Sequence, residues 1–311
     1  MAASEVALGI ILMSQTVLGV LGNSSLLPHY LVLYFTGCRV RHTDLILQHL
    51  IVANLLTLLC TGIPQTVAAF SVKYFLSDIG CKLLLTLHSV GRGMSICSTC
   101  LLSIFQAIKI SSGNSKWAEL KVKASKYIDS FVYLSWILCL LVNAVFPLYV
   151  SGKRSSTNFT SVKDFGYSSG VRHDTTTDSL FAALLSFPDA VCVGLMLWSS
   201  SSMVLILRRH KQRMQHIHKA RCPKFSPVSR ATKTNLFLVS TVVSFYTLSC
   251  IFQICVTVNH NANWLMVNVG AIVCGFFPTI SPFLPMRWNS SASRLYLTWI
   301  RNRKIPDMRN M

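Results

Sequence analysis

The chain has 311 residues, of which 52% are hydrophobic and only 13% are charged, and its mean hydropathy is +0.50. A soluble globular chain carries about 25% charged residues, so this composition and the long apolar runs predict a membrane protein. In a soluble protein the formal net charge of +19 would suggest a nucleic-acid partner. Here the basic residues lie between apolar segments, which argues against nucleic acid and makes the lipid bilayer the expected partner.

Seven apolar spans follow one another along the sequence, and most of the connections between them are short. Each span is long enough to cross a bilayer as a helix, which needs about 20 residues. The sequence has no soluble domain and no internal repeat. We therefore predict an all-α membrane protein, a single domain over residues 1–311 that forms a seven-transmembrane-helix bundle. Its spans lie at about 6–35, 45–70, 82–110, 128–150, 180–207, 234–258 and 264–286.

The first two spans each carry one asparagine within apolar sequence, Asn23 and Asn54. Polar and small residues of this kind suit close contact between membrane helices. The first span follows no basic segment and precedes no cleavage-site pattern. We therefore interpret it as a retained anchor rather than a signal peptide.

The third span carries a stripe of polar residues at steps of three and four, which places them on one face of a helix. A charged Arg92 in hydrocarbon would cost about 2.5–3.5 kcal/mol, so this face must contact other helices or a wet cavity. We interpret the lower part of the stripe as packing between helices and the upper part as a candidate ligand contact. The stripe consists of His88, Arg92, Ser95, Thr99, Ser103 and Gln106.

The fifth span contains Asp189, the only acid deep within an apolar span. By its distance from the nearest connection it lies at a depth comparable to that of Arg92. Two interpretations stay open, because buried charges in membranes tend to pair with one another and also mark ligand sites. Asp189 either forms a structural ion pair with Arg92 or lines a ligand cavity. The candidate ligand-binding residues are His88, Arg92, Ser95 and Asp189.

Most of the 29 Lys and Arg residues lie in the first, third and fifth connections and in the C-terminal tail. The positive-inside rule places these segments in the cytoplasm. The N-terminus is then predicted to lie outside and the C-terminus inside. Of three Asn-x-Ser/Thr sequons, only that of Asn158 falls in an outer connection, so Asn158 is the predicted glycosylation site.

Motifs for enzymatic chemistry are absent from the sequence. It contains no nucleotide-binding glycine motif, no zinc-protease helix and no nucleophile elbow, so neither an enzyme nor a cofactor is expected. Cys97 and Cys100 have a CxxC spacing, but without a second pair or nearby histidines they do not predict a metal site. A transporter would show repeats and interrupted helices in matching halves. A transporter or channel is therefore disfavoured, and a seven-helix receptor with an outer ligand cavity remains.

Several segments resemble the vomeronasal type-1 pheromone receptors closely. They are RGMSICSTCLLSIFQAIKI in span three, HTDLILQHLIVANLL in span two, SFPDAVCVGLMLWSSSSMV in span five and FFPTISPF in span seven. The resemblance implies a G-protein-coupled receptor of the plasma membrane, found in chemosensory neurons. It also implies a small volatile or steroid-like ligand and an inhibitory-type heterotrimeric G protein. A bitter-taste-like receptor is the alternative.

The resemblance carries further expectations about single residues. It implies that the basic segment after span five faces the G protein through Arg208, Arg209, Lys211 and Arg213. The family usually joins the outer cysteine of span three, here Cys81, to a loop cysteine in a Gly-Tyr-Cys-Ser pattern. Ser168 occupies that partner position in this chain, so the resemblance predicts that Cys81 stays unpaired and that this disulfide is missing. The sequence from Pro285 onward also fits the family poorly, which leaves a weakly functional copy as a further alternative.

Overall fold

The computed structural model describes nine continuous ranges of the chain and most positions between 236 and 251. The ranges are residues 3–35, 42–69, 77–111, 115–144, 150–151, 162–164, 169–171, 175–217 and 264–283. Five long helices are α1 (Ala3–Phe35), α2 (His42–Ala69), α3 (Asp78–Ile110), α4 (Ser115–Asn143) and α5 (Thr175–Ile217). Two shorter ones follow, α6 within Val239–Ser249 and α7 (Trp264–Ile280).

The helices match the apolar spans that the sequence predicts. Among the described residues, five helices are long and apolar enough to cross a membrane, and α6 and α7 add shorter apolar segments. The helical bundle expected from the sequence is therefore confirmed.

The five long helices begin three or more residues before their predicted spans. α3 begins four positions before the predicted start because Ser77 caps it, with its Oγ accepting the backbone N–H of Gly80 at 3.1 Å. α4 begins at Ser115 instead of about 128, and α5 continues to Ile217. Both extensions are polar but contain no Gly or Pro, so nothing in them stops the helix. Residues 208–213 thus lie on a helix and not in the loop that the sequence suggests.

The connection between α4 and α5 contains a small antiparallel sheet, which the sequence did not predict. Its strands are β1 (Val150–Ser151), β2 (Val162–Asp164) and β3 (Ser169–Val171), in the order β1-β3-β2. The prediction that span four extends to position 150 was wrong, because α4 ends at Asn143 and Val150 pairs with Gly170 of β3. β1 contacts α3, so the sheet adjoins the helix on which the candidate site lies.

α3 is the central helix of the bundle. It contacts α2, α4 and α5. Of its most apolar 18-residue stretch, 61% is buried, compared with 17% for the corresponding stretch of α4. α1 contacts α2 and α7, and α2 also contacts α7. The largest buried cluster gathers around α3 and draws on six helices. Its members are Ile46, Leu50, Ala53, Val90, Met94, Ile96, Cys100, Leu102, Phe105, Ile128, Val132, Cys139, Met196, Val239 and Phe277.

α4 lies at the edge of the bundle and exposes a broad apolar surface. Phe131, Leu134, Leu138 and Leu141 are each about half exposed or more and recur at helical spacing. In water such a surface would mark a contact with a partner, but for a helix of this length and hydropathy it is the face turned to lipid.

Candidate functional site

The charged side chains within α3 and α5 form an ion pair. Nη2 of Arg92 lies 3.1 Å from Oδ2 of Asp189, and the side chains are 20% and 7% exposed. A lone charge among apolar helices is costly, and a partner at this distance offsets much of that cost. The structure therefore contains the ion pair, which is the first of the two interpretations that the sequence left open. A ligand-binding role for these residues stays a prediction.

A cavity of about 40 Å³ lies beside Arg92, between α2, α3, α6 and α7. Arg92 and Ser95 both contribute to its wall, so two of the four candidate residues share one space. Asp189 is not among the residues that line this cavity, but it pairs with the lining residue Arg92. The lining residues are Thr57, Arg92, Ser95, Ile96, Phe245, Ser249, Val273, Cys274, Phe277 and Pro278.

The far wall of this cavity is formed where α6 contacts α7. The rings of Phe245 and Phe276 are stacked, with centroids 5.2 Å apart and planes inclined by 4°. Oγ of Ser249 lies 2.8 Å from Sγ of Cys274 in a second contact between the same helices. Sequence reasoning missed these residues, because aromatic, serine and cysteine residues in an apolar span carry no distinct periodic signal.

His88 occupies a different position from the other candidates. It hydrogen-bonds Thr61 of α2 and lines a second cavity of about 20 Å³, whose wall includes Gln15 of α1 and Gly275 of α7. Thr57 and Cys274 line both cavities, so the two spaces are neighbours. The structure thus separates His88 from Asp189, which the sequence placed at the same depth. Along α3, His88 at the smaller cavity and Arg92 at the larger one are one helical turn apart.

Four buried polar side chains next to the larger cavity join four helices. Nδ2 of Asn54 donates to Oγ of Ser281 at 2.7 Å and to Oδ1 of Asn23 at 3.3 Å. Oδ1 of Asn54 accepts from Oγ of Ser95 at 2.8 Å, and Nδ2 of Asn23 donates to the backbone oxygen of Pro278 at 2.9 Å. This polar network ties α1, α2, α3 and α7 together. In the sequence, the single asparagines of spans one and two indicated this network, whereas nothing marked Ser281 as their partner.

The lower part of the α3 stripe makes local contacts. Oγ1 of Thr99 donates to the backbone oxygen of Ser95, and Oγ of Ser103 donates to that of Thr99, each at 2.9 Å. Both side chains are fully buried. Hydroxyl groups that bond their own helix allow close packing without an exposed polar group, as the packing interpretation expects.

The predicted G-protein-facing residues lie on the last turns of α5. Arg208 and Arg209 are exposed, beyond the apolar window Ser186–Ile206. For Lys211 and Arg213 the structure describes only the helical backbone. All four positions therefore belong to one continuous helix that leaves the apolar region.

Of the remaining predicted positions, the structure describes only Cys81, which lies at the opposite end of the bundle. Cys81 is 1% exposed, close to the start of α3. Asn158 and Ser168 lie outside the described residues. Within the described ranges, no group of three or more His, Cys, Asp or Glu side chains could hold a metal ion.

A bundle of apolar helices with a buried ion pair and a small cavity between them defines the class of protein as a helical membrane protein. The solved structure of squid rhodopsin superposes on this chain with a TM-score of 0.70, covering 98% of this chain and 89% of its own, at 14% sequence identity. The fold is therefore the seven-helix fold of G-protein-coupled receptors.

The family follows from the sequence comparisons. Residues 6–297 match the vomeronasal organ pheromone receptor family. The chain is 56% identical to human vomeronasal type-1 receptor 4 over 302 residues, 97% of this chain and 100% of that protein. It is 50% identical to human vomeronasal type-1 receptor 2, over 96% and 76% of the two chains. The chain belongs to the vomeronasal type-1 receptor family. It is a chemosensory G-protein-coupled receptor, a multi-pass protein of the plasma membrane, and its family and fold are those of receptors rather than enzymes.

Proposed function

We propose that this receptor binds a small organic, pheromone-like molecule between α3, α6 and α7 and activates an inhibitory-type G protein. The observation that carries the proposal is the cavity whose wall contains Arg92, because it adjoins the ion pair that connects α3 to α5. Arg92 and Ser95 would contact the ligand directly. Asp189 would orient Arg92, and His88 would take part through the neighbouring cavity.

The size of the cavity suggests how binding is coupled to a change of shape. About 40 Å³ holds at most a few water molecules, whereas ligand sites commonly measure about 300–1,000 Å³. An organic ligand therefore requires α6 and α7 to move away from α3. A ligand shifts a receptor only by binding one arrangement better than the other. Here it would favour the arrangement with the wider gap.

The coupling surface follows from the predicted orientation. We propose a single receptor domain with the N-terminus outside, a glycan on Asn158 and the C-terminus in the cytoplasm. The end of α5 with Arg208, Arg209, Lys211 and Arg213 would then reach the G protein. Movement of α6 away from α3 would uncover the neighbouring inner surface.

A cell-based screen tests the proposal. The full-length chain is expressed with a reporter for inhibitory G proteins and exposed to a library of volatile and steroid-like compounds. We expect at least one compound to produce a response that cells without the receptor lack and that pertussis toxin abolishes. A response that persists after the toxin would contradict the inhibitory class. A receptor at the cell surface that answers no compound would contradict the proposed ligand class.

Two charge variants test the coupling surface with the same compound. Arg208→Ala combined with Arg209→Ala should lower the maximal response at equal surface expression. Lys82→Ala, at the opposite end of the bundle, removes a charge in the same way and should leave the maximal response unchanged. Equal responses from all three receptors would exclude a contribution of the α5 end to coupling.

A further inference from the structure

Four cysteines from three helices belong to the buried cluster around α3 or pack against it. Cys97 and Cys100 lie on α3, Cys139 on α4 and Cys192 on α5. Sγ of Cys97 lies 3.7 Å from Sγ of Cys192, although the residues are 95 positions apart in the chain. Cys100 and Cys139 are buried members of that cluster, and Cys97 and Cys192 pack against it. We call these four residues the thiol cluster.

Two members of the thiol cluster differ from the others in access. Cys100 and Cys139 are only 4% and 8% exposed, whereas Cys97 and Cys192 are half-buried. A small uncharged molecule dissolved in the membrane or in the bundle can therefore reach the two thiols that face each other. A buried cysteine that only fills space behaves as a small apolar residue. An oxidant can also join two accessible thiols that are in contact across a helix interface as a disulfide.

We propose that Cys97 and Cys192 are a redox-active thiol pair, which a hydroperoxide converts into a reversible disulfide between α3 and α5. A disulfide bond is about 2.05 Å long, so the sulfur atoms must approach each other by less than about 2 Å. Rotation of both side chains and a small shift of the helices provide this approach. The proposal does not depend on the ligand or on the G protein.

The reaction needs no group beyond the two thiols and the peroxide. One sulfur attacks a peroxide oxygen, the O–O bond breaks, and the thiol proton leaves with the displaced oxygen as an alcohol or, from hydrogen peroxide, as water. The second sulfur attacks the resulting sulfenic acid, the S–S bond forms, and the hydroxyl group leaves with the second thiol proton as water. Both sulfur atoms are oxidised and the peroxide is reduced.

The bond would form beside the ion pair. Asp189 precedes Cys192 by three positions on α5, and Arg92 precedes Cys97 by five positions on α3. A disulfide there would add a covalent link to the charge contact between the same helices. It would hold α3 and α5 at a fixed separation, and a thiol reductant would release them.

The test uses the purified full-length receptor in lipid nanodiscs, treated with hydrogen peroxide and then alkylated with N-ethylmaleimide in denaturant. Peptide mass spectrometry should show a Cys97–Cys192 link that a phosphine reductant removes. The melting temperature should rise by about 5 °C on oxidation and return on reduction. Cys97→Ala and Cys192→Ala should lose both effects. Cys60→Ala, a buried cysteine on α2 outside the cluster, should keep both.

The parent receptor alone can overturn the proposal, even if a cysteine variant fails to fold. The proposal fails if both thiols are still alkylated after a peroxide dose that fully oxidises a dithiol peptide in the same sample. It also fails if peroxide links other cysteines or converts the thiols only to sulfinic acids. A Cys97–Cys192 link that leaves the melting temperature unchanged would refute the constraint between α3 and α5.

Discussion

Removal of both members of the Arg92–Asp189 pair should destabilise the receptor by less than the sum of the two single removals. Arg92→Met keeps most of the side-chain volume but leaves the Asp189 carboxylate, 7% exposed, without its counter-ion. Breaking a buried pair in this way costs about 3–5 kcal/mol. Asp189→Asn should lower the free energy of unfolding by an amount toward the lower end of that range. The guanidinium of Arg92 is 20% exposed and lies beside a cavity whose wall contains hydroxyl groups, so it keeps polar surroundings without Asp189. The double variant carries neither charge, so its loss should fall below the sum of the single losses by about 2 kcal/mol.

Thermal unfolding in detergent measures these losses. At about 2–4 °C per kcal/mol, Arg92→Met should lower the melting temperature by roughly 6–20 °C. The exposed pair on α4 is the matched control. Nζ of Lys123 lies 2.7 Å from Oε1 of Glu119, with both side chains more than 60% exposed, and its coupling should be only about 0.3–0.5 kcal/mol. Additive losses at Arg92 and Asp189, or a larger loss for Asp189→Asn than for Arg92→Met, would refute the reasoning.

Three further predictions concern packing, the polar network and orientation. Gly91→Ala should lower the free energy of unfolding by about 1–3 kcal/mol, because the added Cβ would lie 3.0 Å from a backbone oxygen of α2. Gly194→Ala is the control: its Cβ would have no described atom within 4 Å, so it should leave the melting temperature unchanged. Asn54→Leu should cost about 2 kcal/mol, since it removes three interhelical hydrogen bonds worth about 0.6 kcal/mol each, and an unchanged melting temperature would contradict that. Endoglycosidase should reduce the mass of the expressed receptor by one glycan, and Asn158→Gln should remove this shift. A second sequon, that of Asn289, lies in the predicted cytoplasmic tail, so a shift lost instead in Asn289→Gln would mean that the orientation is inverted.

Much of the fold could be predicted from the sequence because the bilayer imposes strong rules. A span must be long, apolar and hydrogen-bonded within itself, so seven apolar runs were enough to predict a helical bundle. The ends of the helices obey weaker rules. Outside the hydrocarbon a polar helix can continue in water, as α5 does to Ile217, and hydropathy gives no signal where it stops. The small sheet between α4 and α5 was missed because strands of two or three residues have no readable period.

The candidate site could be predicted only in part. Charge alone marked Arg92 and Asp189, because two opposite charges at similar depth in apolar helices have few other partners. The rotation of each helix was not readable, so the sequence grouped His88 with Asp189, although His88 bonds Thr61 of α2 whereas Asp189 pairs with Arg92. The contacts of Ser281 with Asn54 and of Cys97 with Cys192 join residues far apart in the chain. Such contacts depend on tertiary packing, which no local pattern encodes.

The most direct test of the ligand cavity is the stabilisation of purified receptor by an agonist from the screen. A ligand at about 100 times its Kd stabilises the state it binds by about 2.7 kcal/mol, which corresponds to a rise in melting temperature of several degrees. Val273→Phe places a ring in the cavity beside Arg92, whereas Val191→Phe makes the same change at a position that is 46% exposed on α5. We predict that agonist raises the melting temperature of the parent and of Val191→Phe but not of Val273→Phe. An equal rise in Val273→Phe would show that the ligand binds elsewhere.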